Sequence, residues 1–220
     1  MNRADVATAI MDERLIAVVR LRTSGNVRDV VHALVDGGIR IVEITMTVPD
    51  AIPAIAHLAA SLPPSVIVGA GTVTDATTAA AAIAAGARFV VSPVCRPSLI
   101  DDCHRRGVVM MPGCLTPTEI LLASEAGADF VKVFPASAVR PSFIRDVNGP
   151  FPDIRLVPTG GIGIDAAAAW LQAGAVAVGV GGGLLDKGAI ASGEFTVLTR
   201  AAERLVALVR ETAHPQSAGE

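Results

Sequence analysis

One unit recurs along this 220-residue chain: an apolar strand, a turn carrying glycine or proline, then an amphipathic or alanine-rich helix. Strands are expected over residues 15–20, 40–45, 66–69, 89–92, 108–111, 130–134, 155–159 and 175–179. They begin every 19 to 26 residues, the length of a strand–helix unit with short loops. The strands are apolar on both faces, which belongs to a parallel sheet covered by helices. Glycines stand where helices should stop, at Gly37-Gly38, Gly86, Gly107, Gly127 and Gly174. Thr116-Pro117-Thr118-Glu119 supplies an N-cap, a proline at the first helical position and a capping-box glutamate. Eight such units close into a (β/α)8 TIM barrel. The expectation is one domain over residues 1–220, with an extra helix over 1–13 covering the bottom and a frayed tail over 211–220. An open doubly wound sheet is the second possibility, but the first strand-to-helix turn lacks a GxGxxG fingerprint. The alanine-rich stretch 77–87 reads as helix by propensity and carries no functional signal.

Apolar residues make up 51% of the chain and aromatics 3%, with no tyrosine, so alanine, valine, isoleucine and leucine must build the core. A net charge of −3 without a basic cluster argues against a nucleic-acid partner or an anionic membrane surface. Cys95, Cys103 and Cys114 are an odd count without CxxC spacing. With no signal peptide, they suggest a reducing cytoplasm and no metal site. Cys114 reads as a small hydrophobe. Residues 166–185 carry no charge and match a membrane span in length. They contain Gln172 and five glycines, so a helix, a Gly174 stop, a buried strand and a glycine loop explain them better.

Lys132 stands inside the apolar run Phe130-Val131-Lys132-Val133-Phe134. Side chains alternate along a strand, so Phe130, Lys132 and Phe134 share one face. Lysine is almost never buried without a reason. At a pKa of about 10.4, roughly one lysine in a few thousand is a free amine at pH 7. A shift of ~3 units, about 4 kcal/mol, would make the nucleophilic amine a major species. The plain alternatives are a lysine paired to a carboxylate or one that snorkels to the strand end.

In such a barrel chemistry sits at the C-terminal ends of the strands. Those ends carry Arg20, Glu43 to Thr47, Gly69-Ala70-Gly71-Thr72, Ser92-Pro93, Pro112-Gly113, Lys132, Thr159-Gly160-Gly161 and Gly179 to Gly183. One arginine, one glutamate and one lysine therefore converge among hydroxyls and glycines. Glu43 shares a face with Ile41 and Thr45 and should point inward with Lys132, either as its ion-pair partner or as a proton shuttle. The glycine loops after strands seven and eight occupy the places where these barrels often bind phosphate. Glycine lets backbone N–H groups approach an anion, although simple turn chemistry is the other explanation. His32, His57 and His104 fall on expected helices and read as ordinary surface or interface residues.

From about Ile16 to the last helix the chain resembles the class I aldolases of 2-keto-3-deoxy-6-phosphogluconate (KDPG) and 4-hydroxy-2-oxoglutarate. The likeness rests on AVVR (17–20), VEITMTVPDA (42–51), GAGTV (69–73), FVVSP (89–93), MPG (111–113), TPTE (116–119), FVKVFPA (130–136), VPTGGI (157–162) and VGVGGG (178–183). The resemblance implies that Lys132 is the Schiff-base lysine and Glu43 the general acid/base. It makes Thr72 and Thr159 substrate contacts, Thr159 influencing stereochemistry. Gly160, Gly161, Gly181 and Gly182 would hold the phosphate, and Pro93 and Pro112 would line the pocket. Many members carry a carboxylate-binding arginine where Thr47 stands; Arg20, as in another branch, is expected to supply that charge. Some members have a serine where Gly182 stands, leaving that contact here to backbone.

The resemblance implies reversible cleavage of KDPG to pyruvate and glyceraldehyde 3-phosphate through a covalent imine on Lys132, with no metal or organic cofactor. The partners are a small 2-keto acid and a phosphorylated sugar acid, and the family implies a homotrimer. The galactonate epimer and 4-hydroxy-2-oxoglutarate remain alternative substrates. A phosphosugar isomerase or epimerase, with Lys132 kept as an ammonium, and a non-catalytic oligomeric anion-binding protein are the other classes.

Overall fold

The computed structural model describes residues 1–213; residues 214–220 of the expected tail lie outside them. In chain order the elements are α1 (Arg3–Glu13), β1 (Leu15–Val19), α2 (Val27–Asp36), β2 (Ile41–Thr45), α3 (Ala51–Ser61), β3 (Ile67–Gly71), α4 (Ala76–Ala84) and β4 (Phe89–Val91). There follow α5 (Pro97–Arg105), β5 (Val109–Met111), β6 (Gly113–Cys114), α6 (Pro117–Glu125), β7 (Val131–Val133), α7 (Ser142–Asn148) and β8 (Leu156–Pro158). The chain continues through α8 (Ala167–Gln172), β9 (Val178–Val180), α9 (Lys187–Ser192) and α10 (Thr196–Ala213). Residues 211–213, expected in the frayed tail, instead complete α10.

All strand pairs are parallel, as the two-sided apolar runs require. One sheet has the order β5-β4-β3-β2-β1-β9 and the other β6-β7-β8. The fold is α/β on a curled parallel sheet. Between β5 and β6 stands Pro112, which has no N–H to give to a ladder. The chain changes partner there: β5 pairs with β4, and β6 pairs with β7. Gly113-Cys114, just past the end of the strand expected over 108–111, is therefore a short strand of its own. At the other boundary Thr159 bridges Gly179 in parallel, and the Val176 N–H donates to the Leu156 carbonyl at 3.0 Å.

Strand alternation divides the apolar residues into two cores. Val42, Ile44, Val131 and Val133 point toward the helices. Ile16, Ile41, Ile67, Phe89, Val109, Phe130, Val157 and Ala177 form a second cluster with Val6 and Ile10 of α1. Most of these inner residues lie at the beginnings of their strands, so α1 plugs that end, as expected of an N-terminal helix. Asn2 and Asp5 form its capping box. Asp129, just before β7, fastens the plug: it accepts from Arg3 Nε at 2.8 Å, from the Met110 N–H at 2.9 Å, and pairs with His104 Nε2 at 2.9 Å. His104 is thus a structural anchor of α5, not an ordinary surface residue.

The glycine stops hold, with Gly38, Gly86, Gly107, Gly127 and Gly174 at left-handed φ. Residues 166–185 resolve into helix, turn, β9 and loop. Among the described residues no helix is long and apolar enough to cross a membrane.

Candidate active site

Five polar or charged residues are buried among the described ones: Glu43, Thr45, Ser92, Lys132 and Thr159. Glu43 and Lys132 lie at the middle of β2 and β7, and Thr45, Ser92 and Thr159 at or just beyond the C-terminal ends of β2, β4 and β8. Lys132 is 4% exposed and Glu43 2%, a depth that lysine and glutamate rarely reach unpaired. The backbone explains their placement. Lys132 lies between inward Phe130 and Phe134, and its N–H donates to the Pro112 carbonyl at 2.9 Å, which fixes its height. Its Nζ stands 4.9 Å from the centre of the Phe134 ring. No carboxylate among the described residues lies within ion-pair distance of it. The Glu43–Lys132 ion pair allowed by the sequence is therefore absent.

Glu43 follows inward Ile41 on β2, level with Val18 of β1 and Gly69 of β3. Its Oε1 is buried without a hydrogen-bond partner among the described residues. The space for this carboxylate comes from Gly71, where a Cβ would collide with Glu43 Oε1 and lie 2.6 Å from its Cγ. Thr45, two residues on, donates to the Val19 carbonyl at 3.2 Å and its hydroxyl meets that of Thr47 at 2.9 Å.

Arg20 leaves the end of β1 and donates to the Thr72 hydroxyl at 3.3 Å. Since β2 lies between β1 and β3, this guanidinium reaches across the end of β2. Thr72 is at φ 61°, a costly conformation for a β-branched residue and one that clusters at functional sites. Thr159 is buried with its hydroxyl 3.5 Å from the Val157 carbonyl. Gly160 and Gly161 follow at φ 96° and 80°, a left-handed pair open to glycine.

A cavity of about 270 Å³ joins Lys132, Arg20, Thr159, Gly160, Gly161, Gly181 and Gly182. Seven of the expected site residues thus share one wall. Glu43, Thr47, Thr72 and Pro112 do not line it: Glu43 lies deep on the inner face of β2, and Thr72 meets the cavity through Arg20. Pro93 lines a neighbouring cavity with Cys95, Cys114 and Leu122, and Phe134 forms the partition between the two. Cys114 behaves as the small hydrophobe expected: it is buried, and burial pushes its thiol well above the usual range.

The sequence reading missed Val18, Leu21, Phe134, Leu185, Lys187 and Ile190 on the cavity wall. Phe134 could have been found, since it shares the face of Lys132. The Asp186-Lys187 pair, which follows Gly181 to Gly183 after two leucines, was the available signal for Lys187. Among the described residues no group of three histidine, cysteine or carboxylate side chains is placed to hold a metal ion.

The KDPG and KHG aldolase family model matches residues 6–201. The 2-dehydro-3-deoxy-phosphogluconate aldolase of Pseudomonas aeruginosa is 33% identical over 198 residues, covering 90% of each chain. The probable 2-dehydro-3-deoxy-6-phosphogalactonate aldolase of Rhizobium meliloti is 34% identical over 179 residues, 81% of this chain and 84% of that one. Among solved structures, the KDPG aldolase of Legionella pneumophila, with pyruvate captured at low pH as a covalent carbinolamine, superposes with a TM-score of 0.81 at 26% identity. That match covers 90% of this chain and 97% of the other. The chain belongs to the KDPG and KHG aldolase family.

Proposed function

We propose that this protein cleaves KDPG reversibly to pyruvate and glyceraldehyde 3-phosphate through an imine on Lys132. The observation that carries the proposal is a buried lysine, without a carboxylate counter-ion, opening into a cavity with two further cations and two glycine loops. The Lys132 amine attacks the C2 ketone, and loss of water gives a protonated imine. The imine accepts the electron pair of the C3–C4 bond as that bond breaks. Glu43, through a water, takes the proton of the C4 hydroxyl, releasing the aldehyde. The same carboxyl returns a proton to the enamine carbon, and hydrolysis of the imine frees pyruvate and Lys132. The unpartnered Oε1 of Glu43 suits this role, because it has a lone pair free for that water.

Arg20, held by Thr72, serves the carboxylate of the keto acid, the charge that Thr47 cannot provide. Thr47 joins this side through Thr45. Thr159 faces the departing aldehyde, Pro112 sets the height of Lys132, and Pro93 belongs to the adjoining wall. Gly160, Gly161, Gly181 and Gly182 present backbone N–H groups to the phosphate. Imine chemistry of this kind needs no metal or organic cofactor. The galactonate epimer differs at the carbon whose hydroxyl Glu43 would serve, so the two sugar acids compete for the same groups.

We also propose that the two sheets are parts of one (β/α)8 barrel in a single domain. Support comes from the unbroken chain across Pro112 and from the Thr159–Gly179 bridge. A homotrimer is proposed from the family, and exposed Val94 and Leu122 beside the second cavity suit an apolar interface. Three cysteines without a disulfide fit a reducing cytoplasm.

Borohydride reduction in the presence of pyruvate tests the chemistry. A stable adduct is expected on the peptide carrying Lys132, and none in Lys132→Arg, whose guanidinium stays protonated. Wild-type protein that gains no adduct would turn the reading toward an isomerase or epimerase that keeps Lys132 charged.

A further inference from the structure

We propose that Lys187 binds the phosphate of the substrate and selects phosphorylated over unphosphorylated 2-keto-3-deoxy acids, an inference that rests on the aldolase reading above. The charged side chains on the cavity wall are Arg20, Lys132 and Lys187, with no carboxylate among them. Lys132 is committed to the imine and Arg20 is drawn across β2 to Thr72. Lys187 stands on the other side of β1, because it follows β9, which pairs with the opposite edge of that strand. The two remaining cations therefore lie on opposite sides of β1, so that each can serve one anionic end of a substrate. Lys187 shares its side with the Gly181-Gly182 loop, whose backbone N–H groups can contact an anion but bring no full charge.

The segment that carries Lys187 is held in place. The Leu184 and Leu185 N–H groups both donate to the Gly181 carbonyl, at 2.9 and 3.1 Å, which closes a tight turn between β9 and α9. Asn26 Nδ2 donates to the Ile190 carbonyl at 3.0 Å and ties α9 to the segment before α2. Lys187 and Ile190 are three residues apart on that helix and both line the cavity, so one face of α9 forms part of its wall. The neighbouring Asp186 does not neutralise Lys187: its Oδ1 accepts from the Ala189 N–H at 2.7 Å, and no ion pair to Lys187 exists among the described residues. An ammonium on a flexible stem at the rim suits a dianionic phosphate better than it suits a neutral hydroxyl.

The test uses the full-length protein, Lys187→Met and Lys187→Arg. Titration with inorganic phosphate, followed by calorimetry or phosphorus NMR, should show about tenfold weaker binding in Lys187→Met, the low end for one charge-assisted hydrogen bond. Lys187→Arg should retain most of the affinity, since it retains the charge. In steady state, the ratio of kcat/KM for KDPG to that for its unphosphorylated counterpart should fall by a similar factor in Lys187→Met, mainly through KM. Wild-type phosphate affinity in Lys187→Met, or equal losses on both substrates, would overturn the proposal. Absence of the borohydride adduct at Lys132 in the wild type would defeat the aldolase reading instead, while the phosphate titration would still judge Lys187.

Discussion

Glu43 and Gly71 are a pair: the carboxylate occupies the volume that any side chain at 71 would need. In Gly71→Ala the added methyl must displace Glu43 or move β3 from β2. Overpacking of this kind costs about 1–3 kcal/mol, which a domain of this size can survive. The expected outcome is a folded protein that still forms the imine with pyruvate. Exchange of the pyruvate methyl protons into deuterated water should slow by roughly 10²-fold, the lower end for general acid–base catalysis. Unaltered exchange would separate Glu43 from the chemistry. Lys132 and Glu43 were legible in the sequence because a charge at an inward position of an apolar strand has few explanations. The Arg20–Thr72 hydrogen bond was not, because it depends on the register of β1, β2 and β3, which brings residues just past the ends of β1 and β3 to similar heights. Lys187 was obscured for a related reason: an exposed lysine at the start of a helix is common, and only the fold of the loop after β9 turns it toward the cavity.

At the scale of elements, Thr116 and Glu119 illustrate how much a short motif can state. Glu119 accepts from the Leu115 and Thr116 N–H groups at 2.9 Å each, while Thr116 Oγ1 accepts from the Glu119 N–H at 3.3 Å. The backbone donors at Leu115 and Thr116 hold the Glu119 carboxyl below its usual range. A depressed carboxyl contributes stability that is present above its unfolded pKa, near 4.5, and is lost as pH falls through the folded value. Glu119→Gln should therefore lower the melting temperature at pH 7 by no more than about 2 °C, because solvent screening around this exposed carboxylate keeps the loss below ~1 kcal/mol. The gap between variant and wild type should close as melts are taken from pH 5 toward pH 3. A gap independent of pH would assign the effect to the amide's geometry rather than to charge. Caps and strand centres were readable because they depend on local chemistry. Strand limits were less so: β3 runs on to Gly71, where a turn was expected, and β9 begins at Val178 rather than at 175. Those limits are set by the neighbours across the ladder. The β6 segment was hidden because a proline ordinarily ends a strand, whereas here Pro112 only changes the partner.

For the whole molecule, the eight-unit repeat and parallel pairing were evident from spacing and two-sided apolar runs. The outer assembly was not, since the composition contains no interface signature and the trimer rests on family likeness. Light scattering at micromolar concentration should give three times the protomer mass of 22.4 kDa. A mass of one or two protomers would remove the trimer without touching the chemistry. Charge substitution of exposed Leu122, to Glu, should shift the mass downward if the apolar surface beside the second cavity is the contact.

The inner face of the sheet changes character along its length, from the apolar cluster around Val6 and Ile10 to the polar set around Lys132. Most of the inner cluster is remote from solutes, and the reacting groups are remote from most of that packing. A lineage can therefore exchange residues at the open end, such as those at 20, 47 and 187, to try new molecules while the closed end preserves a viable shape. Inheritance of the scaffold and experimentation with its clientele become nearly independent.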